Sequence, residues 1–411
     1  MKFGLLGRTL GHSFSPHIHS VLGNANYELF EREPSQLQEF FDDPELQGIN
    51  ITFPYKVNAL EACDVVDPRA ERIGCVNTMV RKDGKWHGFN TDYDGFVFTL
   101  RHAGIDVSGK ECIILGDGAS SATVHVALED LGAKSITHLS RKTAPFYNDA
   151  PNYYETAQII INCTPIGMYP HNPASLIDLM QFSKLEGVID LIYNPRRTIL
   201  LLQAEMMDVP HCDGLPFLVA QGVEAANHFQ GESFGTKEIE QILQDMRREK
   251  ENIILIGMPG VGKTTVGKAL GEKMGRTCVD VDQELEKEIG DISTYITEQG
   301  EPAFRKKEAE MIAKFGTETG LVISTGGGCV TVPKNYAHLR QNGRIYQLTQ
   351  PVENLSTSGR VLSSGGIEHL RELEETRTPM YESFAQCIVE HNRNAPETVA
   401  AILEDFEANL L

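Results

Sequence analysis

The sequence predicts an α/β protein built from parallel sheets. The main observation is a short buried-strand pattern followed by a glycine turn, at Cys112–Ala122, Ile159–Met168, Ile254–Thr265 and Leu321–Gly328, with a related run at Gly187–Pro195 that ends in a polar turn. Short β-rich runs that alternate with helical stretches are typical of parallel sheets covered by helices. Such sheets bind ligands beyond the carboxyl ends of their strands, which is where these turns fall.

Length and composition narrow the class of protein. The chain has 411 residues, enough for two or three domains, and 41% of them are apolar. It has no run of about 18 apolar residues, and its N-terminal apolar stretch is too short for a signal peptide, so we expect neither a membrane span nor secretion. The eight scattered cysteines indicate reduced thiols in a cytoplasmic protein. A net charge of −20 argues against nucleic-acid or membrane-surface binding, so an anionic substrate requires local positive charge.

Residues 235–252 predict a charged helix between two parts of the chain. Ile239, Ile242, Leu243 and Met246 fall on one face, and a new strand begins at Ile253. We therefore place a domain boundary near residue 250, a linker at 235–252 and a C-terminal domain at 253–411. A fully helical linker of 18 residues is about 27 Å long. Because a helical spacer builds no tunnel, we expect free diffusion between sites in the two parts.

The C-terminal part contains a phosphate-loop motif, Gly257-x4-Gly262-Lys263-Thr264, after a strand pattern and before a helix pattern at Thr265–Met274. The loop amides cradle phosphate oxygens, Lys263 reaches the terminal phosphates and the Thr264 hydroxyl ligates Mg²⁺. A chance glycine loop is the alternative, but the strand and helix patterns around it favour a nucleotide site.

The phosphate acceptor is indicated by the polar residues that follow. Asp280 and Asp282 are two residues apart, on one face of a predicted strand end, so one carboxylate can bind magnesium and the other an acceptor hydroxyl. Arg305 stands near a helix start, Gly326–Gly328 offers exposed amides, and Arg377 follows. Each alone is weak, because a single arginine is usually a surface charge and a glycine run a turn. Their order and spacing together are specific.

From about Glu251 onward the chain resembles the shikimate kinase family. The matching motifs are the phosphate loop, D-x-D, G-E-x-x-F-R-x-x-E (Gly300–Glu308), T-G-G-G and R-x-P-x-Y (Arg377–Tyr381). The resemblance implies phosphoryl transfer from ATP, with Mg²⁺, to the 3-hydroxyl of shikimate. It implies that shikimate is held by Asp282, Arg305, Gly327, Gly328 and Arg377, the arginines gripping its carboxylate as bidentate forks.

The same resemblance assigns the nucleotide side of the site. It implies catalytic roles for Lys263 and Asp282 and magnesium ligation by Thr264 and Asp280. The implied ATP-binding residues are Gly260, Val261, Gly262, Lys263, Thr264, Thr265, Arg360 and Arg393. The family lid has an R-P-L-L-like motif, whereas this chain has Val361 after Arg360. That departure bears on how the lid closes.

The N-terminal part has four polar motifs that are ordinary when taken singly. Ser13 and Ser15 precede Pro16, as at a helix N-cap, and Lys56 follows a strand that ends in a proline turn. The polar clusters Val76–Thr78 and Gly88–Gly95 occupy predicted loops, where such residues more often make local turns.

Taken in order, the motifs resemble the shikimate dehydrogenase family over about residues 1–235. H-S-x-S-P, N-x-T-x-P-x-K, V-N-T and G-x-N-T-D-x-x-G are followed by a cofactor turn at Gly116–Ala122, then N-x-T-P-x-G-M (Asn162–Met168), D-x-x-Y (Asp190–Tyr193) and Gln221. The resemblance implies a substrate-binding domain at 1–100, completed by about 215–240, and a Rossmann-like NADP-binding domain at 101–214.

The implied reaction is reduction of 3-dehydroshikimate to shikimate. Negative charge builds on the ketone oxygen as hydride arrives, so a proton donor beside it is worth roughly 10²–10⁴-fold. Lys56 is the candidate donor, held by Asp92. The implied substrate-binding residues are Ser13, Ser15, Thr52, Asn77, Asn90, Tyr193 and Gln221.

Ser140-Arg141-Lys142, after the second cofactor-domain strand, bears on cofactor choice. An acidic residue there suits a ribose 2′-hydroxyl and an arginine suits a 2′-phosphate, so NADP(H) is favoured over NAD(H). The implied cofactor-binding residues are Gly116, Gly118, Ala119, Ser120, Ser140, Arg141, Thr164, Leu191 and Gly214. Asp117 replaces the usual family alanine, and the interval from Arg141 to Asn162 is short. That interval predicts that a helix and a strand are trimmed.

The two resemblances together predict a bifunctional enzyme, because the product of the first reaction is the substrate of the second. One alternative is a quinate-preferring dehydrogenase beside the kinase. The other is that one half is a non-catalytic module that binds a regulatory ligand.

Overall fold

The computed structural model describes residues 1–11, 13–170, 172–356, 366–391 and 394–410, and these form two compact units, Met1–Leu243 and Gln244–Leu411. Within the described residues the strands form three sheets, two in the first unit and one in the second. None of the helices in these ranges is long and apolar enough to cross a membrane.

The first sheet is mixed. Its described strands, in the order β2-β1-β3-β5-β6-β4, are β1 (Lys2–Gly7), β2 (Tyr27–Glu31), β3 (Leu46–Ile51), β4 (Val65–Val66), β5 (Thr78–Lys82) and β6 (Lys85–Phe89). β5 pairs antiparallel with both β3 and β6, where the sequence predicts parallel pairing. The pairing of β5 with β6 follows from the turn Asp83-Gly84, whose φ angles of 51° and 77° are those that a two-residue hairpin requires.

The helices of this sheet are α1 (Ser15–Val21), α2 (Leu37–Asp42), α3 (Lys56–Ala62) and α4 (Pro68–Ile73). Leu6, Ile49 and Met79, from three neighbouring strands, are fully buried. They form one apolar core with Phe40 and Phe41 of α2. This core fixes the strand ends from which Lys56 and Asn77 extend.

The second sheet is parallel throughout its described strands, in the order β11-β10-β9-β7-β8. They are β7 (Glu111–Leu115), β8 (Ser135–Leu139), β9 (Ile159–Asn162), β10 (Gly187–Asp190) and β11 (His211–Cys212), with helices α5 (Asp92–His102), α6 (Ala119–Asp130), α7 (Ile199–Met206) and α8 (Leu215–Gln230). Continuous apolar runs such as Ile159–Ile161 are buried, as expected for strands covered on both faces.

The short interval after β8 makes that strand an edge of the sheet. Between β8 and β9 the chain forms a 3₁₀ helix at Tyr147–Tyr153, where a dinucleotide-binding fold usually has a further strand and crossover helix. A single bridge, Ser140 with Phe146, extends the edge. This is the arrangement that the short Arg141–Asn162 interval predicts.

Helix α9 (Thr236–Lys250) contains the division between the two units and is shorter than the predicted 235–252. Its predicted apolar face is buried, with Ile242, Leu243 and Met246 no more than 2% exposed. Inside the second unit, Arg247 Nη1 donates to the Leu410 carbonyl at 3.0 Å. The last turns of α9 therefore pack as part of the second unit and are more than a spacer.

The third sheet is parallel, with the described strands in the order β13-β14-β12-β15-β16. They are β12 (Asn252–Gly257), β13 (Cys278–Asp280), β14 (Val322–Ser324), β15 (Gly343–Thr349) and β16 (Cys387–Glu390). The helices are α10 (Lys263–Met274), α11 (Val281–Ile289), α12 (Ile292–Gln299), α13 (Glu301–Gly316), α14 (Asn335–Arg340), α15 (Gly366–Phe384) and α16 (Ala395–Ala408). The central strand β12 is buried along its whole length, and the phosphate loop extends from its carboxyl end.

Candidate active sites

A buried ion pair lies at the centre of the first unit's site. Lys56 begins α3 and Asp92 begins α5, and Lys56 Nζ donates a hydrogen bond to Asp92 Oδ2. The two side chains are 13% and 4% exposed. Burial alone would lower the pKa of Lys56, but the charge and hydrogen bond of Asp92 outweigh burial and raise that pKa. Lys56 is therefore a charged ammonium at neutral pH, as a proton donor must be.

Asn77 and Gln221 lie beside this pair. Asn77 Nδ2 donates to Asp92 Oδ1 at 2.8 Å and to Gln221 Oε1 at 3.4 Å. Gln221 Nε2 donates to the Leu218 carbonyl at 2.8 Å, which fixes the amide orientation on α8. Together with Lys56 and Asp92, residues from four motifs far apart in the sequence thus meet in one polar cluster.

The loop that contains Ser13 and Phe14 contacts the D-x-x-Y loop through aromatic rings. The centroids of Phe14 and Tyr193 are 5.3 Å apart. Ser15 is the first residue of α1 and Phe14 holds the N-cap position, so the predicted serine cap is not formed. Ser13 Oγ instead accepts the Ser15 N–H at 3.2 Å. Thr52 follows β3, and its N–H donates to the Leu6 carbonyl at 2.9 Å.

The Asn90 amide is occupied by protein groups, which its predicted substrate role does not anticipate. Its Nδ2 donates to the Cys75 carbonyl at 3.1 Å and to Thr123 Oγ1 at 3.2 Å, and its Oδ1 accepts the Tyr93 N–H at 3.3 Å. The side chain is 3% exposed. Asn90 ties the loop at Cys75 to α6 of the cofactor sheet.

The cofactor turn connects β7 to α6. Gly116 has φ +119°, Gly118 is the N-cap residue and Ala119 begins the helix, followed by Ser120. A Cβ at Gly116 would lie 3.1 Å from Thr164 Cγ2, so Thr164 borders the turn. A helix N-terminus that follows such a turn suits the pyrophosphate of a dinucleotide.

Ser140 shapes the adjacent turn through its side chain. Ser140 Oγ accepts the N–H groups of Lys142 at 3.1 Å and Thr143 at 3.0 Å, and Arg141 is left exposed. Asp117 is exposed as well. At the other end of the sheet Gly214 caps α8, and a side chain there would overlap the Leu191 carbonyl. Leu191 and Gly214 are therefore in direct contact.

Asp190 is a residue whose electrostatics the sequence does not reveal. Its carboxylate accepts hydrogen bonds from Thr198 Oγ1 at 2.6 Å, Asn162 Nδ2 at 3.0 Å and the Ile192 N–H at 3.1 Å. It is fully buried, and burial raises its pKa to about 7 despite these donors. The network joins the N-x-T-P-x-G-M loop to the D-x-x-Y loop.

The phosphate loop of the second unit is shaped by three glycines of positive φ: 139° at Gly257, 83° at Gly260 and 101° at Gly262. Lys263 begins α10, two residues earlier than predicted, and its Nζ donates to the carbonyls of Gly257 at 2.8 Å and Met258 at 3.0 Å.

The neighbours of the loop are packed closely against it. A Cβ at Gly262 would lie 2.8 Å from His391 Nε2, and one at Gly260 would overlap the Ser356 carbonyl. Val261 is buried, whereas Thr265 is exposed on the first turn of α10. The loop therefore has little freedom to change shape.

Thr264 and Asp280 form a pair of oxygen ligands, with Thr264 Oγ1 2.6 Å from Asp280 Oδ2. Asp280 ends β13 and its Oδ1 accepts the Gln283 N–H as the cap of α11, so Asp282 lies in a helical turn and not on the predicted strand face. Among the described residues no three His, Cys, Asp or Glu side chains gather as a metal cluster. Two hard oxygens nevertheless fit Mg²⁺, which usually keeps waters and phosphate oxygens as its other ligands.

Arg305 is held between two carboxylates of its own helix. Its Nη1 donates to Glu308 Oε2 at 2.8 Å and its Nη2 to Glu301 Oε1 at 3.0 Å. Glu308 is fully buried, and burial raises its pKa against the opposing charge of Arg305. Glu308 ends the G-E-x-x-F-R-x-x-E motif, and its i, i+3 spacing from Arg305 is the signal that could have identified it.

The glycine run brings the acceptor-side residues together. A side chain at Gly328 would overlap the Arg305 guanidinium, and a Cβ at Gly326 would lie 2.8 Å from Asp282 Oδ1. The Gly327 carbonyl accepts Arg377 Nη1 at 3.3 Å and the hydroxyl of Tyr381. Gly326 and Gly328 are buried, so the expected exposure of these amides is limited to the half-exposed Gly327, because Arg305 and Glu308 cover the other two.

Two predicted nucleotide contacts fall outside this geometry. Arg360, with its lid motif, and Arg393 lie outside the described residues.

A dinucleotide-type turn in the first unit and a phosphate loop in the second define an oxidoreductase unit joined to a P-loop kinase unit. A family model described as "Shikimate dehydrogenase substrate binding domain" matches residues 5–79, and one described as "Shikimate kinase" matches residues 259–407. A shikimate dehydrogenase (NADP(+)) of Clostridium perfringens is 34% identical over 265 residues, which cover 60% of this chain and 98% of the relative. The chain therefore belongs to the shikimate dehydrogenase family and carries a shikimate kinase domain at its C-terminal end.

Solved structures agree with this assignment. Shikimate dehydrogenase 1 of Peptoclostridium difficile is 32% identical with a TM-score of 0.55, covering 60% of this chain and 98% of that one. A chorismate mutase/shikimate 5-dehydrogenase fusion protein of Clostridium acetobutylicum is 32% identical with a TM-score of 0.56, covering 59% and 96%. A Thermus thermophilus shikimate 5-dehydrogenase in complex with NADP(H) and shikimate is 29% identical with a TM-score of 0.54, covering 59% and 97%.

Proposed function

We propose that this chain reduces 3-dehydroshikimate to shikimate with NADPH and then phosphorylates shikimate at its 3-hydroxyl with ATP and Mg²⁺. The observation that carries the proposal is the presence of two separate constellations in one chain, Lys56 with Asp92 and Lys263 with Asp280, Asp282, Arg305 and Arg377. Each has the charge and burial that its reaction requires.

In the first reaction Lys56 is the proton donor. Bound NADPH supplies the hydride. Nζ of Lys56 gives its proton to the ketone oxygen as negative charge develops there, while Asp92 keeps the ammonium charged and oriented. The proposed hydroxyl and carboxylate ligands are Ser13, Ser15, Thr52, Asn77, Tyr193 and Gln221. We assign Asn90 a supporting role because its amide is already bound by Cys75, Thr123 and Tyr93.

In the second reaction positive groups converge in an otherwise acidic chain. Arg305 and Arg377 bind the shikimate carboxylate, and Asp282 orients the 3-hydroxyl. Glu308 is buried against Arg305, so the guanidinium is already aimed before substrate arrives. Lys263 exchanges the carbonyls of Gly257 and Met258 for ATP phosphates, and Thr264 with Asp280 would hold Mg²⁺.

The proposed division of labour follows the units. Residues 1–100, completed by about 215–240, form the substrate-binding part of the dehydrogenase, and residues 101–214 bind NADP. The kinase occupies 253–411, together with the end of α9 that packs within the second unit.

The direct test is a coupled assay. Purified chain is mixed with 3-dehydroshikimate, NADPH, ATP and Mg²⁺, absorbance follows NADPH, and mass spectrometry identifies the products. We expect oxidation of NADPH together with formation of shikimate 3-phosphate. Accumulation of shikimate alone would assign the second unit a binding role, and no oxidation of NADPH would refute the dehydrogenase. Replacing the substrate by 3-dehydroquinate tests the quinate alternative.

A further inference from the structure

Two histidines connect a surface carboxylate to the cofactor turn. His125 of α6 has its Nε2 3.4 Å from Glu129 Oε1 and its Nδ1 2.9 Å from His138 Nε2. His138 of β8 has its Nδ1 3.2 Å from the carbonyl oxygen of Gly116, the first glycine of the turn. The four groups form one continuous polar chain from Glu129 to Gly116.

The chemistry of these groups fixes where the protons lie. The Gly116 carbonyl only accepts, so His138 Nδ1 must donate to it, and a neutral His138 then has an accepting Nε2. His125 Nδ1 must therefore donate to His138. A carboxylate also only accepts, so His125 Nε2 must donate to Glu129. With His138 neutral, all three contacts are satisfied together only when His125 carries protons on both nitrogens.

The charges around the two rings agree with this proton count. Burial lowers the pKa of His138 with a contribution from His125, against the Gly116 hydrogen bond and the charge of Asp117, so His138 stays neutral. Glu129 on α6 faces His125 and also pairs with Arg72 of α4 at 2.9 Å. Arg72 pairs with Asp130 as well, at 2.7 Å. The added proton therefore belongs on His125, beside Glu129.

Loss of that proton breaks one link wherever the remaining protons move. If His125 keeps its Nδ1 proton, its Nε2 lone pair faces the Glu129 carboxylate. If His125 keeps its Nε2 proton, its Nδ1 presents only a lone pair to His138. His138 then either loses its hydrogen bond with His125 or moves its own proton to Nε2, which leaves an unprotonated Nδ1 facing Gly116. In the second arrangement the Gly116 carbonyl has lost its donor.

The Gly116 carbonyl matters because of the peptide geometry. In a trans peptide the C=O and the following N–H point in opposite directions. Holding the Gly116 oxygen on His138 therefore directs the Asp117 N–H away from His138, as part of the turn that leads into the N-terminus of α6. Successive N–H groups in such a turn bind the phosphates of a dinucleotide.

We propose that His138 is a positioning residue for the cofactor turn, and that protonated His125 holds it in the tautomer that fixes Gly116. NADPH then binds more tightly when His125 is doubly protonated and less tightly once that proton is lost. The inference rests on the proposed dehydrogenase function. One neutral hydrogen bond corresponds to about a fivefold change in affinity.

Three variants separate this role from a merely structural one. His138→Asn keeps an N–H near the Nδ1 position but cannot titrate, so the KM for NADPH stays close to the wild-type low-pH value. His138→Leu removes the donor, so that KM rises about fivefold at low pH with little change in kcat. The matched control is His211→Asn, since His211 Nδ1 also contacts a backbone carbonyl, Val209, at 2.8 Å but lies on β11 at the opposite edge of the sheet.

The measurement is the ratio of the KM for NADPH at pH 8.5 to that at pH 6. Because ionisation of the cofactor is common to all proteins, we compare ratios, and expect the wild-type and His211→Asn ratios to exceed those of both His138 variants about fivefold. Equal ratios in all four proteins would overturn the proposal. Kinase activity of the same chain reports on folding of its own unit, and the dehydrogenase kcat on that of the first.

Nitrogen NMR tests the proton positions without turnover. We expect ¹⁵N-labelled full chain at pH 6 to show His138 protonated at Nδ1 only and His125 at both nitrogens. A proton on His138 Nε2 would refute the chain even if the enzyme is active. Absence of NADPH oxidation with the expected NMR pattern would instead refute the proposed function and leave the tautomers established.

Discussion

Arg141 is held out from the protein by a turn that the buried Ser140 side chain closes. We predict that Arg141→Ala raises the KM for NADPH about ten- to hundred-fold and that for NADH far less, because a charge-assisted pair with the 2′-phosphate is worth roughly 1.5–3 kcal/mol. Lys142→Ala, at the next exposed residue of the same turn, is the matched control. Steady-state kinetics with both cofactors measures the effect, and equal changes for NADPH and NADH would show that Arg141 does not bind the phosphate.

Asp190 should make the stability of the first unit depend on pH. Its pKa of about 7 in the folded chain lies above the ordinary value of 3.8, so the folded state binds this proton more tightly than the unfolded state. The corresponding stabilisation is full below about pH 4 and is lost as pH rises through 7. Asp190→Asn keeps a neutral amide there and should remove this part of the pH dependence.

Urea unfolding of the wild type and the variant from pH 4.5 to 8 measures the difference. We expect the free energy of unfolding of the wild type, relative to that of the Asp190→Asn variant, to fall as pH rises. A difference that is constant or grows with pH would contradict burial as the dominant influence on this carboxyl.

At the scale of single residues, sequence patterns predicted which residues belong to the candidate site better than they predicted the contacts of those residues. Lys56, Asp92, Asn77 and Gln221 come from four separate motifs and meet as one cluster. The buried contacts of Asn90 were not predictable, because they depend on a Cys75 loop and an α6 helix that only the folded chain brings together.

Helix α9 shows at the level of elements how a predicted linker acquires a structural role. Arg247 is 5% exposed and donates to the Leu410 carbonyl, whereas Arg248 pairs with Glu407 at the surface. We predict that Arg247→Ala lowers the stability of the second unit by about 1–3 kcal/mol, because a buried carbonyl loses its donor. Arg248→Ala should lower it by about 1 kcal/mol or less, as exposed pairs do.

The two variants are distinguished by the free energy of unfolding of the second unit, measured by denaturation with kinase activity as the signal. No loss of stability in either variant would mean that the end of α9 is a spacer after all.

The strand and turn patterns correctly predicted strands such as β7, β9, β10, β12 and β14, and the differences elsewhere have local causes. The polar motifs on either side of Asp83-Gly84 predict loops, whereas the structure forms the hairpin of β5 and β6 that this strong turn signal favours. Asp280 ends its strand one residue before α11 because its carboxylate caps that helix. The spacing of residues in the sequence does not show which of two possible hydrogen bonds such a carboxylate will form.

At the scale of the whole molecule, local positive charge within an acidic chain suits the proposed anionic substrates. The net charge of −20 is offset where Lys263, Arg305 and Arg377 are buried or nearly so. Each unit contains its own proposed catalytic lysine, with its own partners inside that unit. The central claim is therefore that one chain has two complete and independent active sites.

Crossed lysine variants test that claim most directly. NADPH oxidation with 3-dehydroshikimate and ATP-dependent phosphorylation of added shikimate are measured on Lys56→Ala and Lys263→Ala, with circular dichroism to confirm folding. We predict that Lys56→Ala loses NADPH oxidation by at least about 10²-fold and keeps phosphorylation, and that Lys263→Ala does the reverse. Loss of both activities in either folded variant would contradict two independent sites.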